Sequence, residues 1–89
     1  MTAPYVLPTI NLNGSSVRDL LEEQVAVLRA VGTLRSALAQ ACPNGRDYQH
    51  APETYPAARL EWEAAMQHLE RIRDRAECIA DHIADHDRR

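Results

Sequence analysis

The sequence predicts an all-α fold: an antiparallel helical hairpin with an extended N-terminal arm, assembling into a homo-oligomeric helical bundle. Three observations lead there. Two long segments repeat apolar residues with a helical period. A stretch punctuated by Pro43, Gly45 and Pro52 divides them. The chain has only 89 residues, with one Trp, three Tyr and no Phe, so its apolar content suits thin helices in close contact. Two such helices bury too little surface to be comfortable alone, which makes oligomerisation a structural expectation.

The arm comes first, over residues 1–14. Pro4 and Pro8 oppose helix, and Ile10 and Leu12 alternate with Asn11 and Asn13 in a β-like pattern. Such a segment adds an edge strand or lies across a neighbouring subunit. Asn13-Gly14 turns the chain. Residues 15–89 form the hairpin domain, with helices at about 16–42 and 55–86. Ser16 followed by Asp19 approximates a capping box. The stripe of the first helix contains Val17, Leu20, Leu21, Val27, Leu28, Val31, Leu34, Leu38, Ala41 and Cys42. Leu21, Val25, Leu28 and Cys42 add apolar surface beyond what one hairpin consumes. Gly32 within this helix suggests a close approach or a bend, and Pro43 ends it.

The second helix starts near Thr54, a good N-cap, with Pro56 in the first turn. Ala58, Trp62, Ala65, Leu69, Ile72, Ala76, Ile79, Ile83 and His86 follow four-three spacing, a heptad seam. Antiparallel pairing puts Cys42 and Cys78 at opposite ends of the hairpin, too far apart to bond within one chain.

Composition narrows the function. The formal charge is −3, which argues against duplex nucleic acid as a partner. No apolar run reaches the length of a membrane span. The N-terminus lacks the basic start and apolar core of a signal peptide, and two cysteines suit a reducing cytoplasm. All ten basic residues are Arg; a GC-rich genome explains that, and so does recognition of phosphate by planar guanidinium forks. His82 and His86 stand one turn apart, but a third metal ligand is missing from the pattern, so no metal is expected. Cys42 and His50 share the loop without an oxyanion turn, so no catalysis and no cofactor are expected.

The loop at 43–55 is longer than a helical hairpin needs. Arg46 offers five donors, Asp47 accepts, Tyr48 has a flat face and a hydroxyl, and Asn44-Gly45 can present backbone N–H groups. Together they suit a small anionic ligand with a base to stack, a nucleotide. Equally, Asp47 could pair with Arg46 and Tyr48 could anchor the loop on the hairpin.

The arm "INLNGSS", the loop "NGRDY" and the second helix with "QHLERI" resemble a group of small tailed-phage proteins. These carry an I-x-L-N-G-[TS]-S arm, an N-[AG]-R-D-Y loop and a polar Glu-His pair on the second helix. The group includes the anti-CBASS cyclic-oligonucleotide sponges, helical proteins that form hexamers. The resemblance implies a non-catalytic sponge for a cyclic-nucleotide-type immune signal, acting in the cytoplasm of an infected bacterium against CBASS-like or Thoeris-like systems. Arg46 would then meet a phosphate, with Asp47 beside it. Tyr48 would stack or donate its hydroxyl, and Asn11 and Asn13 would touch base or ribose. Arg59 and His68, read as lying on one side of helix 2, are further ligand contacts. Here Gln67-His68 replaces the Glu-His pair, and Gln49 rather than an aromatic follows Tyr48. The rival reading is a structural adaptor that binds other proteins through its helices.

Overall fold

The computed structural model describes residues 4–10, 14 and 16–87. It has two long helices, α1 (Val17–Gln40) and α2 (Tyr55–Asp87), packed against each other as a hairpin. No strand occurs among the described residues. The rod measures 61 × 26 × 19 Å.

Helix α1 begins where its cap demands. Ser16 has extended backbone, and its hydroxyl accepts from the Asp19 amide at 3.0 Å. That satisfies one of the donors orphaned at a helix start. The helix stops at Gln40, a little before the boundary near 42. The Ala41 amide bonds to Ala37 and Leu38, and Pro43 lacks the N–H needed to continue the ladder. A Cβ built at Gly32 would meet nothing within 4 Å. The glycine therefore marks no close helix approach.

The two helices are joined by a pair of 3₁₀ turns, Gly45–Tyr48 and Pro52–Thr54. The second runs straight into α2. Thr54 does not cap α2 with its side chain: its hydroxyl donates backward to the Ala51 carbonyl at 2.7 Å.

Only Val31, Leu69, Ala76, Ile79 and Ile83 are buried among the apolar residues described. The heptad reading of α2 holds at Leu69, Ala76, Ile79 and Ile83 and fails at Ile72, which is 51% exposed, and at His86, which is exposed near the helix end. Ile72 and Ile79 lie within about 20° of each other around the helix axis. The difference goes with cover: Ile79 lines the groove beneath Val6, Leu7 and Pro8, and Ile72 does not. Val27 (37%) and Leu34 (50%) on α1 are likewise exposed, although both belong to the expected apolar stripe. Leu21, Val25 and Leu28, expected as surplus surface, are half-buried.

The described part of the arm, residues 4–10, is not a strand, and it touches α2 of its own chain. Tyr5 donates its hydroxyl to the Arg71 carbonyl at 3.5 Å, and His82 Nε2 lies 3.2 Å from the Pro8 carbonyl. His82 thus ties down the arm. Val6, Leu7 and Pro8 lie over Leu20, Ile79 and Ile83, enclosing a groove of about 300 Å³ with Gln24 and Arg75 at its edge. Gln24 Oε1 is buried there without a hydrogen-bond partner.

On the other flank of Val31, charged residues seal the helix pair. Arg35 approaches Glu70 at 2.9 Å, a charge contact without an aligned hydrogen bond. Arg73 reaches Glu70 at 3.1 Å and Glu77 at 3.6 Å. These side chains are partly exposed, so each pair contributes little, at most about 1 kcal/mol. Glu70 joins the two helices through Arg35 of α1 and Arg73 of α2.

Candidate functional site at the loop end of the hairpin

The loop's backbone is largely spent on itself. Asn44 is extended, and its side-chain oxygen accepts from the Arg46 amide at 3.0 Å. The Asn44 carbonyl accepts from Asp47, and the Tyr48 carbonyl from Ala51. The Arg46 amide is therefore not available to a ligand. The result is a stiff turn, because short-range bonds replace those a helix would have made.

The turn leans on aromatic rings. Tyr48 and Tyr55 pack at 5.8 Å between centroids, tilted by 43°. The Tyr55 hydroxyl lies 3.5 Å from the Pro43 carbonyl, and a Cβ at Gly45 would touch the Tyr55 ring. Tyr48 is half-buried, whereas Arg46, Asp47, Gln49 and His50 are exposed. Arg46 and Asp47 form no ion pair with each other. The Arg46 guanidinium has no partner among the described residues.

Behind the turn, Arg59 occupies a crowded position. Its Nη1 donates to Cys42 Sγ at 3.6 Å, its Nη2 pairs with Glu63 at 3.5 Å, and its guanidinium lies 5.8 Å from the centre of the Trp62 ring. Cys42 first, then the Tyr55 hydroxyl and Glu63, favour its charged form and raise its pKa above the ordinary arginine range. Arg59, like any arginine, is a cation at neutral pH.

Trp62 is the structural pin of this end, a role that spacing alone did not reveal. Its indole N–H donates to the Leu38 carbonyl at 2.8 Å, satisfying an acceptor in the last turn of α1. Trp62→Phe should keep most of the packing and lose that bond, lowering stability by about 0.5–1.5 kcal/mol. An unchanged thermal midpoint would show that the bond contributes nothing.

The sequence-derived candidates do not all meet. Arg46, Asp47, Tyr48 and Arg59 share the loop end. His68 does not join them: it is nine residues beyond Arg59 on α2, about half a turn round, so the two side chains leave opposite sides of the helix. Asn11 and Asn13 lie outside the described residues. Their described neighbours belong to the open end of the hairpin, where Pro8 meets His82 and α1 begins. With 24 residues, α1 alone spans about 36 Å. Within one chain the described part of the arm and the loop thus lie at opposite ends of the hairpin.

No group of three or more His, Cys, Asp or Glu able to hold a metal ion occurs among the described residues. No described helix is long and apolar enough to cross a membrane. No protein-family pattern, characterised protein or solved structure matched this chain.

Proposed function

We propose that this chain is the subunit of a non-catalytic homo-oligomer that sequesters a small anionic nucleotide, a cyclic-nucleotide-type immune signal. On this reading, which the "INLNGSS" and "NGRDY" motifs motivate, it serves phage counter-defence against CBASS-like or Thoeris-like systems. The observation that carries the proposal is the unpaired Arg46 guanidinium on a turn whose backbone is locked by Asn44. An exposed guanidinium with a free planar fork, carried on a fixed backbone, is suited to phosphate. Arg59 adds positive charge to the same end, and the edge of the tyrosine pair offers a surface for a base. The arm asparagines complete the site from a neighbouring subunit.

A structural adaptor is the second reading. The packing of Tyr48 on Tyr55 favours it, because that contact pins the hairpin without any ligand.

Thermal shift and calorimetry against cyclic di- and trinucleotides and ADP-ribose derivatives separate the two. A ligand at a hundredfold excess over Kd stabilises the folded state by about 2.7 kcal/mol. For a chain of this size that is a rise in Tm on the order of 10 °C or more. No shift and no heat across the panel would leave the adaptor.

A further inference from the structure

Helix α1 carries a second seam that its own hairpin does not use. Val27, Ala30, Leu34, Ala37 and Ala41 follow each other at spacings of three, four, three and four, and all five are exposed. The flanking Ala26, Thr33 and Gln40 are uncharged. The other flank is Val31 and Leu38, on the side of α1 that packs against α2. The same line continues backward through Glu23 to Leu20, which lies beneath the arm. A chain with 26% charged residues thus leaves an uncharged heptad stripe open to water for about four turns.

The size of the exposed surface indicates what covers it. The chain exposes 6955 Å², against about 5,200 Å² for a compact 10.0 kDa monomer. Its radius of gyration is 18.5 Å, against about 12 Å for a compact chain of this length. The excess, roughly 1,700 Å², is about twice what a standard interface removes from each partner. Every copy has the same deficit of buried surface, so a second copy corrects both at once.

We infer that α1 pairs antiparallel with α1 of a second copy along this stripe, with a two-fold axis midway between Ala30 and Leu34. Antiparallel heptads match each a position to a d position of the other helix. In this register Val27 meets Ala37 and Ala30 meets Leu34, so a large side chain faces a small one in every central layer. A parallel pair would stack Leu34 on Leu34 and Ala30 on Ala30, alternating crowding with voids. It would also set Glu23, the only charge on the line from Leu20 to Ala41, directly against itself. The antiparallel register sets Glu23 against Ala41.

The pairing also resolves the distance between loop and arm. It lays the Arg46 turn of one copy abreast of the first turn of the other copy's α1, where that copy's arm joins the helix. Each pair then has two places where the loop of one chain lies beside the start of α1 of the other. This deepens the self-association in the proposed function and needs no nucleotide to test.

Light scattering on the parent chain should give a mass that is a multiple of 10.0 kDa at micromolar concentration. Leu34→Glu should reduce that mass at least twofold while circular dichroism keeps its helical signal. Leu60→Glu should not change it, because Leu60 is 67% exposed and about half a turn from the buried Leu69. For orientation, Val27→Cys and Ala37→Cys chains are prepared on a Cys42→Ser, Cys78→Ser background. Mixed and oxidised, they should crosslink to each other, while the Val27→Cys chain alone should not. A monomeric parent overturns the inference, as does a Leu34→Glu mass equal to the parent's or dissociation by Leu60→Glu as well. Efficient self-crosslinking of Val27→Cys overturns the antiparallel register. A correct mass pattern with no nucleotide bound would remove the sponge reading and leave this interface standing.

Discussion

Ile83→Ala should be the most damaging single substitution in the chain. Ile83 is fully buried, at 0% exposure, in a core of five apolar residues. It packs where α1, α2 and the arm converge, beside Leu20 and Pro8. Truncating a buried Ile removes its transfer free energy and leaves a cavity, together about 2–5 kcal/mol. Small domains have a total stability at the low end of about 5–15 kcal/mol, so the variant should be partly unfolded near room temperature. Ile72→Ala is the comparison. It sits on the same heptad line but is half exposed, and its loss should cost under about 1 kcal/mol. Urea titration followed by circular dichroism reads both. Equal costs at the two sites would mean that the arm does not seal the groove over Ile83.

If the chain sequesters a nucleotide as proposed, Arg46→Ala should lower the affinity about ten- to a hundredfold, the usual contribution of a charge-assisted hydrogen bond. It should do so without moving the melting temperature of the free protein. The guanidinium has no partner of its own, and the turn is held by Asn44 and the tyrosine pair. Tyr48→Ala serves as the internal contrast. It should weaken binding and also lower Tm, because Tyr48 packs on Tyr55. Calorimetry on the parent and both variants, paired with thermal melts, separates the roles. A melting temperature that collapses in Arg46→Ala would show that the residue holds the hairpin, and the sponge reading would lose its main support.

The comparison of Ile72 with Ile83 shows how far the heptad pattern could be read. Periodicity states which side of a helix is apolar, not what lies over it. Both isoleucines fit the seam, and only the arm tells them apart. The same applies to Val27 and Leu34, which follow the stripe of α1 but face away from its partner helix. Two helices in contact cover only a narrow sector of each other, so a broad apolar stripe leaves its edges exposed. His68 parts from Arg59 for a related reason: nine residues along the helix turn a side chain half a revolution.

The sequence by itself determined the elements. Ser16 and Asp19 set the start of α1, Pro43 limits its end, and the apolar period requires two helices to pack against each other. These are local matters of backbone donors, forbidden dihedrals and side-chain direction, and each is decided within a few residues. Only the tertiary structure decided what each face meets. It folded the described part of the arm back over Leu20 and Ile83, bonded the Arg46 amide to the Asn44 side chain, and gave Trp62 the end of α1 to cap. It also left Val27, Ala30, Leu34, Ala37 and Ala41 exposed. Those outcomes depend on which surfaces come together at long range, and a one-dimensional pattern of polar and apolar residues does not encode cover.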